Sequence, residues 1–244
     1  MINAMSNTLP YRINLNTRFT SFEVRVETTN LFVCAHSNVY DRAIALVKSL
    51  RKDIEGYIEK NPQFLHALTP LEPETTAPEV VQRMCAASLK AGVGPMAAVA
   101  GAIAQMVGED LLDYSPEVIV ENGGDIWANV REPATVSVFA GRSAFSKNLG
   151  IALTPAMSPC GICSSSGRFG RSFSFGKADI ATIIADTAAL ADAVATAACN
   201  MVQSDSDCAK AVSFATSISG VKGALVIYWD TMAVQGTIEL TEIE

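Results

Sequence analysis

The sequence predicts an α+β fold, and three observations carry that prediction. Apolar residues alternate in short runs near both ends of the chain, as half-buried strands require. Between them the period changes to three or four residues over long amphipathic stretches. The order is strands, then helices, then strands, helices and strands again, which is not the strict alternation of a parallel α/β sheet. With 244 residues, the chain falls at the upper end of single-domain size. The expectation is one domain over residues 1–244, with an N-terminal half over about 11–130 and a C-terminal half over about 131–243.

Phe22-Glu-Val-Arg-Val-Glu27 alternates, and Leu31-Phe-Val-Cys-Ala35 continues as a second strand. From Asp41 to Glu59, Ile44, Val47, Leu50, Ile54 and Ile58 form an apolar stripe between charged residues, the mark of a long helix. The proline-rich stretch Leu68 to Pro78 reads as a surface connection. A second helix starts at Pro78 and ends at Gly92, since proline suits a first turn. A third, around Met96-Ala-Ala-Val-Ala-Gly-Ala-Ile-Ala104, carries small residues that allow close backbone approach, so it is expected to be central and buried. Val118 to Asp125 is a strand ending in a glycine turn, and Thr135 to Ala140 another. Leu149 to Gly176 mixes short strands with Gly/Ser turns, and Thr182 to Ala185 is a strand. Asp186 or Thr187 caps a helix running to about Met201, and Asp205 or Ser206 caps one to about Ile218. Ala224 to Trp229 and Val234 to Ile243 form a closing hairpin, whose exposed edge offers a way to pair with a second copy.

Composition removes several function classes. The chain is 49% hydrophobic, 18% charged and carries a net charge of −7. Disorder needs the opposite balance, and a general nucleic-acid binder needs a basic face. The most apolar stretch, Val93 to Gly108, is shorter than the roughly 18–20 residues of a membrane span and contains Gln105. The N-terminus MINAMSNTLPYRINLN shows no apolar signal core, so a cytoplasmic location with six reduced cysteines is expected.

Three constellations suit chemistry. In Glu121-Asn122-Gly123-Gly124-Asp125, paired glycines permit positive φ and bare backbone, with Asn122 and Asp125 at the lip; the same residues equally describe a simple hairpin turn. In Gly161 to Lys177, Ser164, Ser165, Ser166 and Gly167 precede Arg168, Arg171 and Lys177, a Gly/Ser and cation mixture suited to a phosphate, or a polar surface loop. In Asp192-Ala-Val-Ala-Thr196, a carboxylate and a hydroxyl one helical turn apart suit Mg²⁺, while a solvated helix face explains them as well. Cys160-Gly-Ile-Cys163 has redox-pair spacing, and Arg168 and Arg171 would favour a thiolate at Cys163; two inert thiols are the plainer reading. His36 and His66 stand outside any catalytic constellation.

Taken together, these segments resemble the ApbE flavin-transferase superfamily, and more closely an ApbE-related family whose activity is not established. The resemblance rests on Asn61-Pro-x-Phe64, Gly92-Val-Gly-Pro-Met-Ala97, Val120-Glu-Asn-Gly-Gly-Asp-Ile126, Cys163-x-Ser-Ser-Gly167, Ser174-Phe-Gly-x-Ala-Asp179 and Ala191-Asp-x-x-Ala-Thr196, across about residues 11–242. It implies a T-fold-like architecture of two similar halves, each an antiparallel sheet with packed helices. It implies a small phosphorylated ligand, FAD or a related nucleotide, lined by Asn122 to Asp125 and Ser164 to Gly167, with Mg²⁺ held by Asp192 and Thr196. ApbE transferases move FMN onto a Ser or Thr hydroxyl of a target protein, and they carry a His-x-x-Asp-Pro segment shortly after the T-S-G loop. This chain has Gly176-Lys-Ala-Asp179-Ile there, with neither the His nor the Pro. That departure points to nucleotide binding without FMN transfer or to a different reaction, such as Mg²⁺-dependent transfer or cleavage at the FAD pyrophosphate. The alternatives are a sulfur-transfer or sulfur-carrier accessory using Cys163 with Cys160 as a resolving thiol, for which the resemblance implies sulfur assimilation toward homocysteine, and a non-catalytic scaffold.

Overall fold

The computed structural model describes residues 18–141, 143–146, 149–168 and 174–243; Arg171 and the N-terminal MINAMSNTLPYRINLN lie outside them. Strands β1 (Thr20–Val26) and β2 (Thr29–Ala35) form a hairpin, followed by helices α1 (Tyr40–Lys60), α2 (Gln63–His66), α3 (Glu79–Ala91) and α4 (Val99–Leu111). Then come β3 (Val118–Asn122) and β4 (Asp125–Asn129). The second part runs β7 (Cys160–Ser165), β8 (Ile180–Ala185), α5 (Ala188–Met201), α6 (Cys208–Ser217), β9 (Val221–Tyr228) and β10 (Thr231–Gly236). All eight of these strands join one antiparallel sheet in the order β1-β2-β3-β4-β7-β8-β9-β10. A strand pair, a helical segment and a second strand pair thus occur twice, side by side.

The remaining strands, β5 (Ala134–Ser137), β6 (Leu149–Leu153) and β11 (Leu240–Glu242), make a small sheet in the order β11-β6-β5. Two cores follow from the alternation of side chains across the large sheet. Val33, Val120, Trp127 and Ile183 pack under the helices. Cys34, Ile119, Ile162 and Leu225 pack under the small sheet with Ile151 and Leu153.

The helix boundaries follow local chemistry. Pro78 precedes α3, and Gly92, in the left-handed region at φ 74°, ends it. Thr187 caps α5 by accepting from the Leu190 N–H. Before α6, the capping box is Ser204 with Asp207, not the expected Asp205 or Ser206. The expected closing hairpin is also shorter: β10 ends at Gly236, and the chain crosses to the small sheet as β11. Helix α4 is buried as its small residues imply, with Gly108 seated where a Cβ would fall 2.0 Å from the Trp127 ring. Among the described residues, no single helix is long and apolar enough to cross a membrane.

Candidate functional site

The antiparallel sheet places the β3–β4 turn, the end of β7, the start of β8 and the β9–β10 turn at one edge. Helices α4 and α5 cross above β4 and β7 there, bringing the three sequence constellations together.

Gly123 (φ 68°) and Gly124 (φ 109°) make a two-residue turn that pairs Asn122 with Asp125, so the hairpin reading is correct as geometry. Both glycines face open space at their Cβ positions. Glu121, buried one residue earlier, accepts the Gly124 N–H at 2.6 Å and fixes the turn. Asn122 and Asp125 are not at a solvent lip. Asn122 donates from Nδ2 to the Ala100 carbonyl at 3.1 Å, and Asp125 Oδ1 accepts the Ser164 N–H at 3.3 Å; both residues are buried.

Asp192 overturns the solvated-face reading of α5. It is only 9% exposed, and its Oδ2 accepts the Gly101 N–H at 2.9 Å, in the first turn of α4. A buried carboxylate here meets unsatisfied helix N–H groups and the positive end of the helix dipole. Gln105 of α4 accepts the Ala189 N–H at the start of α5, so each helix steadies the other's first turn. Thr196 is half-buried one turn beyond Asp192.

Burial pushes the Asp192 carboxyl up to about 7, although the Gly101 and Ala100 N–H groups pull the other way. Burial, and then the charge of Asp192, holds Asp125 well above the usual carboxylate range. Two such acids titrate as a pair, sharing the cost of bringing charge inside. A proton or a cation relieves that cost. Hard oxygen donors are what Mg²⁺ takes, and carboxylate oxygens keep lone-pair capacity beyond one backbone bond each. The donor set therefore fits a divalent ion held by Asp125 and Asp192, with the Thr196 hydroxyl one turn away. Among the described residues no group of three or more His, Cys, Asp or Glu side chains is arranged around a common metal position.

The Gly/Ser segment departs most from expectation. Residues 160–165 are not a turn but strand β7, so successive side chains alternate. Ser164 Oγ lies 2.9 Å from Thr182 Oγ1 on the neighbouring strand. Ser165 is buried with no hydrogen-bond partner for its hydroxyl, and Ser166 Oγ accepts the Arg168 N–H at 3.1 Å. The three hydroxyls thus do not converge on one anion. Arg168 is not a free cation either: its Nε donates to the Lys177 carbonyl at 3.0 Å, and a second nitrogen lies 3.5 Å from the Asp179 carboxylate. Gly167 packs its backbone against that of Gly176, whose carbonyl oxygen would lie 2.0 Å from a Cβ at position 167.

Strand geometry also separates the cysteines. Cys160 belongs to the core under the small sheet and Cys163 to the core under the helices, so they cannot act as a redox pair. Cys163 is 0% exposed and donates to the Ala188 carbonyl at 3.3 Å. Burial, then Asp125 and Asp192, pushes its thiol well above the ordinary range, the reverse of the thiolate expected from nearby arginines. At the meeting point Cys163 is a packed thiol under two acids.

Sequence reasoning did not find the partners of Asp192 in α4, because they are backbone N–H groups. Gln105, a polar residue inside an apolar helix, was the available signal. His36 also has a partner: its Nε2 lies 2.7 Å from Glu117 Oε2, at the opposite edge of the sheet. Two surface depressions, one lined by residues 38–42 with Tyr114 and one by Phe145, Leu149 and Leu240, lie away from the acid pair.

A duplicated antiparallel sheet carrying an Asn-Gly-Gly-Asp turn against a D-A-x-x-T-like helix defines an ApbE-like protein. The fold is similar to that of the ApbE protein from Thermotoga maritima, with TM-score 0.55 and 14% identity over 91% of this chain and 97% of that one. It is also similar to the Pseudomonas stutzeri flavinyl transferase ApbE in its apo form, with TM-score 0.53 and 14% identity over 90% and 94%. Residues 12–220 match the family described as AbpE bacteria, and the chain belongs to that family. Among similar proteins are UPF0280 proteins of Methanocella arvoryzae, 39% identical over 88% of this chain and 87% of the relative, and of Methanothrix thermoacetophila, 43% identical over 77% and 79%.

Proposed function

We propose that the chain binds a flavin nucleotide together with a divalent cation where Asp125, Asp192 and Thr196 meet the Asn122–Asp125 turn. The observation that carries this reading is the pair of buried, interacting acids, both raised in pKa, with Asp192 bonded to the first turn of α4 and Asp125 to the Ser164 N–H of β7. Proteins rarely bury two facing carboxylates unless something neutralises them. A bound Mg²⁺ would neutralise charge on a pyrophosphate. The chain's own part is to hold the acids still: the Gly101 N–H orients Asp192, and the Ser164 N–H orients Asp125. The turn at Gly123 and Gly124, braced by Glu121, leaves backbone uncovered for a ligand.

Binding, rather than FMN transfer, is the activity these residues support. The segment after the loop lacks the transferase His and Pro, and its Asp179 accepts the Trp229 N–H and pairs with Arg168, a structural tie. Isothermal titration with FAD, with and without MgCl₂, tests the reading. The wild type is expected to bind FAD at least about tenfold more tightly with Mg²⁺. Asp192→Asn, which keeps an acceptor for Gly101 but removes the charge, is expected to abolish the Mg²⁺ enhancement. No FAD binding under either condition, or an enhancement unchanged in Asp192→Asn, refutes it.

A further inference from the structure

The turn between β9 and β10 holds a large aromatic side chain where small residues are usual. Trp229 occupies the left-handed region at φ 52°, a conformation that disfavours bulky residues. Two distant side chains hold it there: the Asp179 carboxylate accepts its N–H, and the Ser143 hydroxyl donates to its carbonyl at 2.8 Å. The Arg168 guanidinium lies 4.2 Å from the ring centroid and 5.1 Å from that of Tyr228. Despite this bracing, Trp229 is 53% exposed. A strained residue held from three sides yet left in water does little for the core, and such strain gathers at functional positions.

Its place in the fold indicates what it meets. In the sheet order β4-β7-β8-β9, the Trp229 turn is three strands from Asp125 along the same edge, about 14 Å at ordinary strand spacing. The Gly/Ser segment ending at Arg168 lies between them. Lys177, whose carbonyl is bound by the same guanidinium, is exposed and has no ion-pair partner among the described residues. We propose that the exposed Trp229 ring, with Lys177, forms a stacking subsite for the planar heterocycle of a phosphate-bearing nucleotide. The inference rests on the nucleotide reading above and extends it along the sheet edge. Stacking on an aromatic face tolerates any planar ring, so an adenine and a flavin ring share this chemistry; the braced arginine keeps the indole rigid, and the lysine favours the charged ligand.

Trp229 and the buried Trp127 are the two tryptophans of the chain, so ring contact is readable by fluorescence. AMP and adenosine are titrated by tryptophan quenching, and FMN and riboflavin by flavin anisotropy. AMP or FMN is expected to bind saturably, and the tighter of the two identifies the heterocycle. Trp229→Gly suits the positive φ, so its melting temperature is expected not to fall while affinity drops about tenfold or more. Should that variant unfold, Trp229→Leu and Trp229→Phe give the same contrast, the loss appearing in leucine and not in phenylalanine. Lys177→Ala is expected to weaken AMP or FMN severalfold and to leave adenosine and riboflavin unchanged. The inference is overturned if none of the four probes binds, if ringless variants bind as wild type, or if Lys177→Ala affects charged and neutral probes alike. Mn²⁺ binding to the wild type and to Asp192→Asn, followed alone by calorimetry, separates this failure from failure of the Asp125–Asp192 reading.

Discussion

Asp192 serves two masters at the scale of a single residue, and two substitutions separate them. Asp192→Ala removes the acceptor of the Gly101 N–H, leaving a helix-start donor unsatisfied in a buried place. A cost of about 1–3 kcal/mol in chemical denaturation is expected. Asp192→Asn retains an acceptor and removes a buried charge, so its stability without metal is expected to equal or exceed that of the wild type. Equal destabilisation by both variants would show that the charge itself, not the acceptor, holds α4. At Cys163 the expectation is inertness. Fully buried between Ala188 and the acid pair, it is expected to react with a thiol reagent only as fast as the protein opens. A fast-reacting thiol lost in Cys163→Ser would reverse that conclusion. The motif Asp192-to-Thr196 was legible in the sequence, yet its surroundings were not. Residues on α5 alone suggested a face turned to water, because nothing local reveals that the N-terminus of another helix covers it.

Helices α4 and α5 form one mechanical unit above the sheet, and small residues let them do so. Gly101 has Ala188 O at 2.3 Å and Asp192 Cβ at 2.8 Å from the place a Cβ would take. Gly101→Ala is therefore expected to push α5 away, lowering stability by about 1–3 kcal/mol and weakening Mn²⁺ binding in the same variant. Gly108→Ala, pressed on Trp127 farther along α4, is expected to cost similar stability with less effect on the metal, which calorimetry and denaturation distinguish. Such elements were largely readable beforehand. The stripes of α1 and α3, and the small-residue run of α4, have helical periods too long for chance, and glycine at 92 marks the end of α3 as threonine at 187 marks the start of α5. What escaped reading was short and polar: β4 is five residues directly after a turn, and β7 carries Gly and Ser where strand signals expect branched side chains. Neighbouring strands and the helices above supply the order that β7's own residues do not. That is why a predicted Gly/Ser cradle proves to be a strand with its hydroxyls on alternating faces.

Across the whole molecule, opposite edges of the sheet hold buried acids whose pKa values move in opposite directions, and stability should register both. At one edge Glu117, 3% exposed, accepts from the Arg131 and Glu132 N–H groups, from Arg18 and from His36. Burial alone would raise its pKa, but these partners together hold it below the ordinary value. At the other edge Asp125 and Asp192 lie above the ordinary value of 3.8, Asp192 at about 7. A group with a lowered folded pKa adds stability above its unfolded value that is lost as pH falls through the folded one. Glu117 therefore weakens the fold on acidification below about 4.5. A raised folded pKa works in reverse: the acid pair favours folding below about 4, and that benefit disappears as pH rises through about 7. The acid pair's benefit declines steadily between about pH 4 and about 7, while that of Glu117 is complete by about 4.5. Metal-free protein is thus expected to be most stable near pH 4–5 and less stable at both pH 3 and pH 8. Melting temperatures across that range check it. Glu117→Gln is expected to flatten the acid limb alone; Asp192→Asn is expected to reduce the alkaline limb alone, and Asp125→Asn/Asp192→Asn to flatten it. Millimolar MgCl₂ should lift the alkaline limb in the wild type and leave it unmoved in Asp192→Asn, because only an ionised pair offers the cation a site. An alkaline limb that persists in the double variant Asp125→Asn/Asp192→Asn, or a Mg²⁺ effect equally strong at pH 4, would assign the neutral-pH cost to groups other than this pair.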